Sequence, residues 1–259
     1  MSLTRVVLCG ITGRMGAALL RALRDAPDLE LTGGIASHDP GDLGCPVMPP
    51  DAAAGLLERA DVVIDFSTPA ALSALLAGNT AAFAGKALIV GTTGLTAEQE
   101  KAIDDVARRA AVVTAANFSV GVTLLLDLVQ RASRVLREGF DIEIVETHHR
   151  KKVDAPSGTA LALARAAAAG RSVNLADVRI DGRTGETGVR PDGAIALHAL
   201  RGGAVVGEHR IHFLGDAEHV ELAHVATDRI LFAQGALHAA RWVTGQAPGR
   251  YSMNDVLGL

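Results

Sequence analysis

The stretch that decides the fold is Val6-Val7-Leu8-Cys9-Gly10-Ile11-Thr12-Gly13-Arg14-Met15-Gly16. Four consecutive apolar residues suit a strand buried on both faces of a parallel sheet. Gly10 ends the run, and over residues 15–25 Leu19, Leu20 and Leu23 fall on one side of a helix. Between strand and helix the glycines are spaced GxxGxxG. Such glycines let the backbone turn tightly and approach a pyrophosphate, whose charge the helix N-terminus stabilises. The spacing alone is common at strand–helix junctions; the strand–turn–helix setting makes it a candidate dinucleotide site.

Working outward, the alternation repeats. Strands are predicted at residues 29–35, 61–65, 87–90 and 111–114, each set off by a loop and helical residues, with a well-marked helix over 96–110. Strand and helix in turn from the first residues give an α/β chain with a doubly wound parallel sheet. Past Asn117 the pattern changes. A helix over 120–138 precedes a strand at 141–146, whose polar–apolar alternation suits one wet face. Residues 156–170 read as a loop running into an Ala-rich helix. Residues 195–206 and 208–222 read as antiparallel strands, joined through a turn at Gly202-Gly203. A helical pattern resumes from Arg229 through Trp242.

Composition narrows the function classes. Of the 259 residues 49% are hydrophobic and 21% charged, a globular profile that excludes wholesale disorder. A net charge of −4 gives no support to a nucleic-acid surface, which needs clustered Lys and Arg. Cys9 and Cys45 form neither a disulfide framework nor a CxxC pair. The apolar start is too short for a signal-peptide core, and no apolar run nears the ~20 residues that span a bilayer. The expectation is a cytoplasmic enzyme or binding protein, without nucleic-acid, membrane or metal partners.

Three further loops belong with the glycine turn. In an open α/β sheet ligands lie beyond the carboxyl ends of the strands. Asp65-Phe66-Ser67-Thr68-Pro69, Gly91-Thr92-Thr93-Gly94 and Asn117-Phe118-Ser119 each follow a predicted strand and so share that edge. A ribose-binding acid is expected at the end of the second strand, where the chain reads Ile35-Ala36-Ser37-His38-Asp39. Asp39 comes late for that role. Ser37, His38 and Arg14 instead offer donors and a cation to a 2′-phosphate, so NAD and NADP both stay open.

The chemistry concentrates in Glu143-Ile144-Val145-Glu146-Thr147-His148-His149-Arg150-Lys151-Lys152-Val153-Asp154-Ala155-Pro156-Ser157-Gly158-Thr159-Ala160. A helix starting at Ser157-Gly158-Thr159 offers free backbone N–H groups and a hydroxyl, a cradle for carboxylate or phosphate. Lys152 adds positive charge and a proton source, and His148 or His149 transfers protons near neutral pH. Together they read as a site for an anionic small molecule that needs a proton. The plainer alternative is a solvated charge run with Ser157 as a helix cap. Zinc binding is disfavoured, because adjacent His ligands diverge and HExxH is absent; a serine nucleophile would need a GxSxG elbow.

The run EIVETHHRKKVDAPSGTA closely resembles the signature of the dihydrodipicolinate reductase family. The likeness extends through GITGRMG, DFSTP, GTTG, AANFSVG, GEHRIHFLGDAEHVELAH and RILFAQGALHAARW, over nearly the whole chain. It implies a Rossmann-like dinucleotide-binding domain over 1–119 and 229–259. Residues 120–228 would form an α+β substrate and tetramerisation domain with a mixed sheet, in a homotetramer. It implies NADH- or NADPH-dependent reduction of a cyclic dicarboxylate, 4-hydroxy-tetrahydrodipicolinate, to tetrahydrodipicolinate with loss of water, in the diaminopimelate route to lysine. Carried over by motif, His148 is the general acid and Lys152 its partner. His149, Ser157, Gly158 and Thr159 hold the substrate carboxylates. Gly10, Thr12, Gly13, Arg14, Met15, Gly91, Thr92 and Thr93 contact the cofactor; Ala115, Asn117 and Phe118 orient the nicotinamide, and Arg229 reaches the cofactor from the crossing back. The chain departs from the family pattern at Ala36, where many members carry an acid, and at Thr68 and Ala116. The competing reading is a nucleotide sensor that kept the fold and lost catalysis; an intact His148 and Lys152 argue against it, since a binder needs no placed acid.

Overall fold

In the computed structural model, which describes residues 3–38 and 41–259, Val6 to Cys9 lie at the heart of a seven-stranded sheet. Asp39 lies outside the described residues. The chain divides into two compact units, Met1–Val120 with Ile230–Leu259, and Gly121–Arg229. Val120 and Arg229 thus fall one residue across the boundaries expected from the sequence.

The first unit contains β1 (Thr4–Cys9), α1 (Arg14–Arg24), β2 (Leu29–Ile35), β3 (Val47–Met48), α2 (Ala54–Arg59), β4 (Val62–Asp65), α3 (Pro69–Asn79), β5 (Ala87–Val90), α4 (Ala97–Ala107) and β6 (Ala111–Thr114). Its sheet runs β3-β2-β1-β4-β5-β6 and closes with a strand from the chain's far end, β12 (Gly249–Tyr251). Every pairing is parallel. The order reverses between β1 and β4, which is where doubly wound sheets place their ligand. Alternate strand residues feed two cores. Val6, Leu8, Ile64 and Ile89 pack towards the chain's last long helix, whereas Val7, Val63, Leu88 and Val112 join Leu57, Leu72 and Ile103 on the opposite face. Covered on both sides, these strands must be apolar throughout. Thr96 starts α4 with a capping box, its Oγ1 accepting from the Gln99 amide while Gln99 Oε1 accepts from Thr96 N–H.

The second unit contains α5 (Val120–Val135), β7 (Asp141–His148), α6 (Gly158–Arg171), α7 (Leu175–Val178), β8 (Arg179–Asp181), β9 (Ile195–Arg201), β10 (Gly207–Leu214) and β11 (His219–Ala226). Beyond it come α8 (Ile230–Val243), β12 and α9 (Met253–Leu257), which return to the first unit. The sheet order is β11-β10-β7-β9-β8, with β7 antiparallel to β10 and parallel to β9: a mixed sheet. Ile142, Ile144, Ile195, Leu197, Ile211 and Phe213 form its buried face against α5 and α6. The alanines of α6 serve close approach: a Cβ on Gly170 would lie 2.3 Å from the Gln130 carbonyl oxygen of α5.

Two sequence expectations are corrected here. The Gly202-Gly203 segment does not close a hairpin, because β9 and β10 pair with opposite edges of β7. The segment crosses the end of β7 instead, with Gly202 N–H donating to the His148 carbonyl. Residues 208–222 are not one strand either. They break at Gly215, whose N–H donates to the Glu218 carbonyl, and the hairpin is β10–β11.

Candidate active site

The first unit carries an anion cradle at the carboxyl edge of its sheet. Gly10 adopts φ +81°, and a Cβ there would stand 2.6 Å from the Phe66 carbonyl oxygen. At Gly16 it would stand 2.2 Å from the Ile11 carbonyl oxygen, so the turn admits side chains at neither position. Gly13 is the N-cap of α1 and supplies no side-chain acceptor. The first-turn N–H groups therefore face outward beside a cavity of about 190 Å³ lined by Thr12, Gly13, Ala36, Ser37, Phe66 and Ser67. Arg14 is exposed at the first helical position, and Met15 packs on the core. Bare amides, a glycine turn and no carboxylate at Ala36 fit a dinucleotide pyrophosphate and leave room for a 2′-phosphate.

Neighbouring loops converge on Phe66. Its ring lies where a Cβ on Gly91 would be, 2.2 Å away, and meets Phe118 edge-on at 5.4 Å between centroids. Phe118 is buried, and its carbonyl oxygen would be 1.6 Å from a Cβ on Gly235 of α8. Below these loops Asp65 is fully buried. It accepts from Ser67 Oγ at 2.5 Å and from Thr92 Oγ1 at 2.6 Å. Burial pushes its carboxyl above the usual range, and those hydroxyls only partly offset this. Thr92, Thr93 and Ala115 line a second cavity of about 240 Å³ together with Arg250, which Asp104 and Glu100 hold. Asn117 Oδ1 accepts from the Ser119 amide and shapes the turn there.

The second unit carries the proton chemistry. Glu146 and His148 lie two apart on β7 and so share a face. The register sets His209 of β10 opposite Glu146 and Arg201 of β9 beside His148. Glu146 Oε2 meets His148 Nδ1 at 2.5 Å and accepts from Arg201 Nη1 at 2.8 Å. Oε1 accepts from Arg201 Nη2 at 2.7 Å and from the Ser157 amide at 3.0 Å. Burial works against the charge on Glu146; hydrogen bonds from Arg201, His148 and Ser157 outweigh it and hold the carboxyl below its usual range.

Ser157 caps α6, its Oγ accepting from the Ala160 amide. His209 Nε2 approaches the same oxygen at 3.1 Å, and its ring meets His148 edge-on. Burial, reinforced by His148, lowers the His209 pKa to about 4, so this imidazole is neutral. Gly158 and Thr159 follow as the first residues of α6. Lys152 Nζ rests 2.9 Å from Asp154, and His149 Nε2 is 3.4 Å from Arg229, which belongs to this unit. The strand–loop–helix thus brings His148 and the Ser157 amide together on Glu146, with Lys152 paired to Asp154 and His149 to Arg229, while Gly10 to Met15, Gly91 to Thr93 and Ala115 to Phe118 belong to the other unit.

Glu146, Arg201, His209 and Arg250 were not picked out by sequence. Glu146 had a usable signal, its two-residue offset from His148 on an alternating strand. The others arrive through pairing across long separations, 55 residues for Glu146 and Arg201. Among the described residues no group of three or more His, Cys, Asp or Glu could hold a metal, and no helix is long and apolar enough to cross a membrane.

Comparison with known proteins agrees along the chain. A 4-hydroxy-tetrahydrodipicolinate reductase of Rhodopseudomonas palustris (strain BisB18) is 47% identical over 270 residues, spanning 100% of this chain and 99% of that protein. Another, from Methylocella silvestris, is 44% identical over 98% of this chain and 97% of its own length. In fold, the chain is similar to a dipicolinate-bound dihydrodipicolinate reductase from Paenisporosarcina sp. TG-14, with a TM-score of 0.78 and 23% identity over 96% of this chain and 97% of that one. Residues 4–118 match the family described as dihydrodipicolinate reductase, N-terminus, and residues 121–257 its C-terminal counterpart. The chain belongs to the dihydrodipicolinate reductase family.

Proposed function

We propose that the chain reduces 4-hydroxy-tetrahydrodipicolinate to tetrahydrodipicolinate with loss of water, using NADH or NADPH, in the diaminopimelate route to lysine. The observation that carries this reading is the end of β7, where His148 is ordered on a buried carboxylate beside the amides that open α6. A cyclic dicarboxylate needs both an anion cradle and a proton.

The first unit is assigned the nicotinamide cofactor, which when bound supplies a hydride. Gly10, Thr12, Gly13 and Met15 form the pyrophosphate turn; Arg14, Ser37 and His38 receive a 2′-phosphate where one is present. Gly91, Thr92 and Thr93, with backbone at Ala115, Asn117 and Phe118, orient the ring. The second unit is assigned the substrate. Ser157, Gly158, Thr159 and His149 hold the carboxylates, and Arg229, beside His149, keeps its assignment to the cofactor. His148 delivers its proton from Nε2, and Lys152 Nζ stabilises the negative charge that develops on the ring. General-acid help of this kind is worth about 10²–10⁴-fold.

The subunits assemble as a homotetramer through the second unit, a reading supported by the exposed Leu124, Leu128, Leu200, Leu214 and Val225 there. The site of action is the cytoplasm. The test is loss of reduced-nicotinamide absorbance with substrate generated in situ by the preceding enzyme of the route, NADH and NADPH side by side, with light scattering for subunit number. Substrate-dependent turnover is expected with at least one cofactor. Folded protein that binds a nicotinamide nucleotide without turning over would instead favour the sensor.

A further inference from the structure

Glu146 is 1% exposed, and each of its oxygens has two donors. Neutralising Arg201 would not require that arrangement. Arg201 Nη2 also donates to the Asp154 carbonyl, and its Nη1 to that of Leu200, so backbone already orients it. The carboxylate's other two partners are both active-site groups: the His148 ring and the first amide of the Ser157-Gly158-Thr159 cradle. We propose that Glu146 is the positioning residue of the reaction, holding His148 with Nδ1–H inward and Nε2 outward and tying the cradle to the same anchor through the Ser157 amide.

A carboxylate oxygen has no proton to give, so the hydrogen between Glu146 and His148 sits on Nδ1. Nε2 is then the only ring atom able to exchange a proton with substrate. When it does so, the neutral ring left behind is the Nδ1–H tautomer, the one Glu146 stabilises. Space is kept for Nε2 by Gly207 on β10, where a Cβ would come within 3.0 Å of it. The Ser157 link matters for distance as well as for charge. Proton donor and carboxylate cradle sit on different elements, β7 and the start of α6, and a misplacement of ~1 Å between such groups costs on the order of 10²-fold in rate.

Glu146→Gln distinguishes this role from simple support. All four of its contacts come from donors, so an amide –NH₂ in either orientation confronts two of them. Facing His148, it forces the ring to accept at Nδ1 and puts the only proton of the neutral ring on Nε2, from which it cannot leave without forming imidazolate.

The inference rests on the reductase reading, and a measurement independent of turnover separates the two. Imidazole ¹⁵N spectra of the wild-type protein with the His148 ring neutral should show Nδ1 protonated and Nε2 bare. In steady state E146Q should lose about 10²–10⁴-fold in kcat, with KM for the reduced nicotinamide held within about twofold. Because Glu146 acts through His148, E146Q in an H148Q background should cost less than about threefold more. A wild-type ring protonated at Nε2, an E146Q enzyme within about fivefold of wild-type kcat, or a full E146Q loss in the H148Q background would each overturn the proposal. Should E146Q fail to fold, the wild-type spectrum decides. A fixed Nδ1–H tautomer in a protein without turnover would support the positioning geometry and sink the reductase reading.

Discussion

Replacing His209 with Leu should remove a large part of the protein's acid sensitivity. His209 is 4% exposed, its Nε2 meets Ser157 Oγ, and its Nδ1 is buried without a hydrogen-bond partner. Burial first, and the neighbouring His148 second, lower its pKa from 6.5 to about 4. The folded state therefore keeps this ring neutral where the unfolded chain already takes up a proton. Stability from this source is present in full above pH 6.5 and is lost as pH falls from there towards about 4. At about 1.36 kcal/mol per pH unit for one proton, the loss amounts to about 3 kcal/mol. Leu fills a similar volume and does not titrate, and Ser157 Oγ keeps the Ala160 amide. Urea unfolding of both proteins, at one protein concentration and at several pH values from about 7.5 to about 4, gives the difference directly. Leu should gain on wild type by about 3 kcal/mol across that span. Parallel stability curves would refute the reasoning, because they would mean that His209 is charged when folded.

Further expectations concern the other parts of the site. Gly10→Ala places a Cβ at φ +81° and 2.6 Å from the Phe66 carbonyl, so it should cost about 2–4 kcal/mol and abolish nicotinamide-nucleotide binding; an unchanged melting temperature would contradict the cradle geometry. Lys152→Ala should lower kcat by about 10²–10⁴-fold while leaving KM for the reduced cofactor unchanged, which steady-state kinetics read directly; near-wild-type kcat would remove Lys152 from the chemistry. Arg241 holds Asp28 down to about 2 from 3.8, so their pair stabilises above pH 3.8 and loses its effect as pH falls through about 2. Both side chains are more than 40% exposed, so the gain is small and screened by salt. Arg241→Gln should melt below wild type at about pH 6 and level with it near pH 2; a gap that persists in acid would place the effect elsewhere.

The parallel sheet was legible because burial on both faces writes continuous apolar runs, as at Val6 to Cys9 and Val62 to Ile64. The glycine turn was legible because Gly10 and Gly16 are sterically required. The second unit was harder. Its strands alternate, and alternation fixes a face without naming a partner, so β9 and β10 looked like neighbours although β7 separates them. β12 is three residues, Gly249–Tyr251, and pairs with β6 with no apolar run to announce it. The same limit applies to the site. His148, Lys152 and Ser157 lie in one short segment, but Arg201 and His209 reach them only through sheet register.

The way the first unit is completed bears on its synthesis. α8 fills its core with Ala233, Ala236, Leu237 and Ala240, Gly235 lies against the Phe118 carbonyl, and β12 extends the sheet at β6. A ribosome therefore releases the glycine turn early and the residues that finish its domain last, with the whole second unit made in between. Until residues 230–259 emerge, α1 alone among the unit's helices packs on the α8 side of β1, β4, β5 and β6, and the part that α8 fills stays uncovered. The nascent chain must carry that surface through most of its translation, whereas the second unit closes its core from its own contiguous residues and can fold first. A truncation just before Ile230 would thus damage the unit built mainly from residues 1–120.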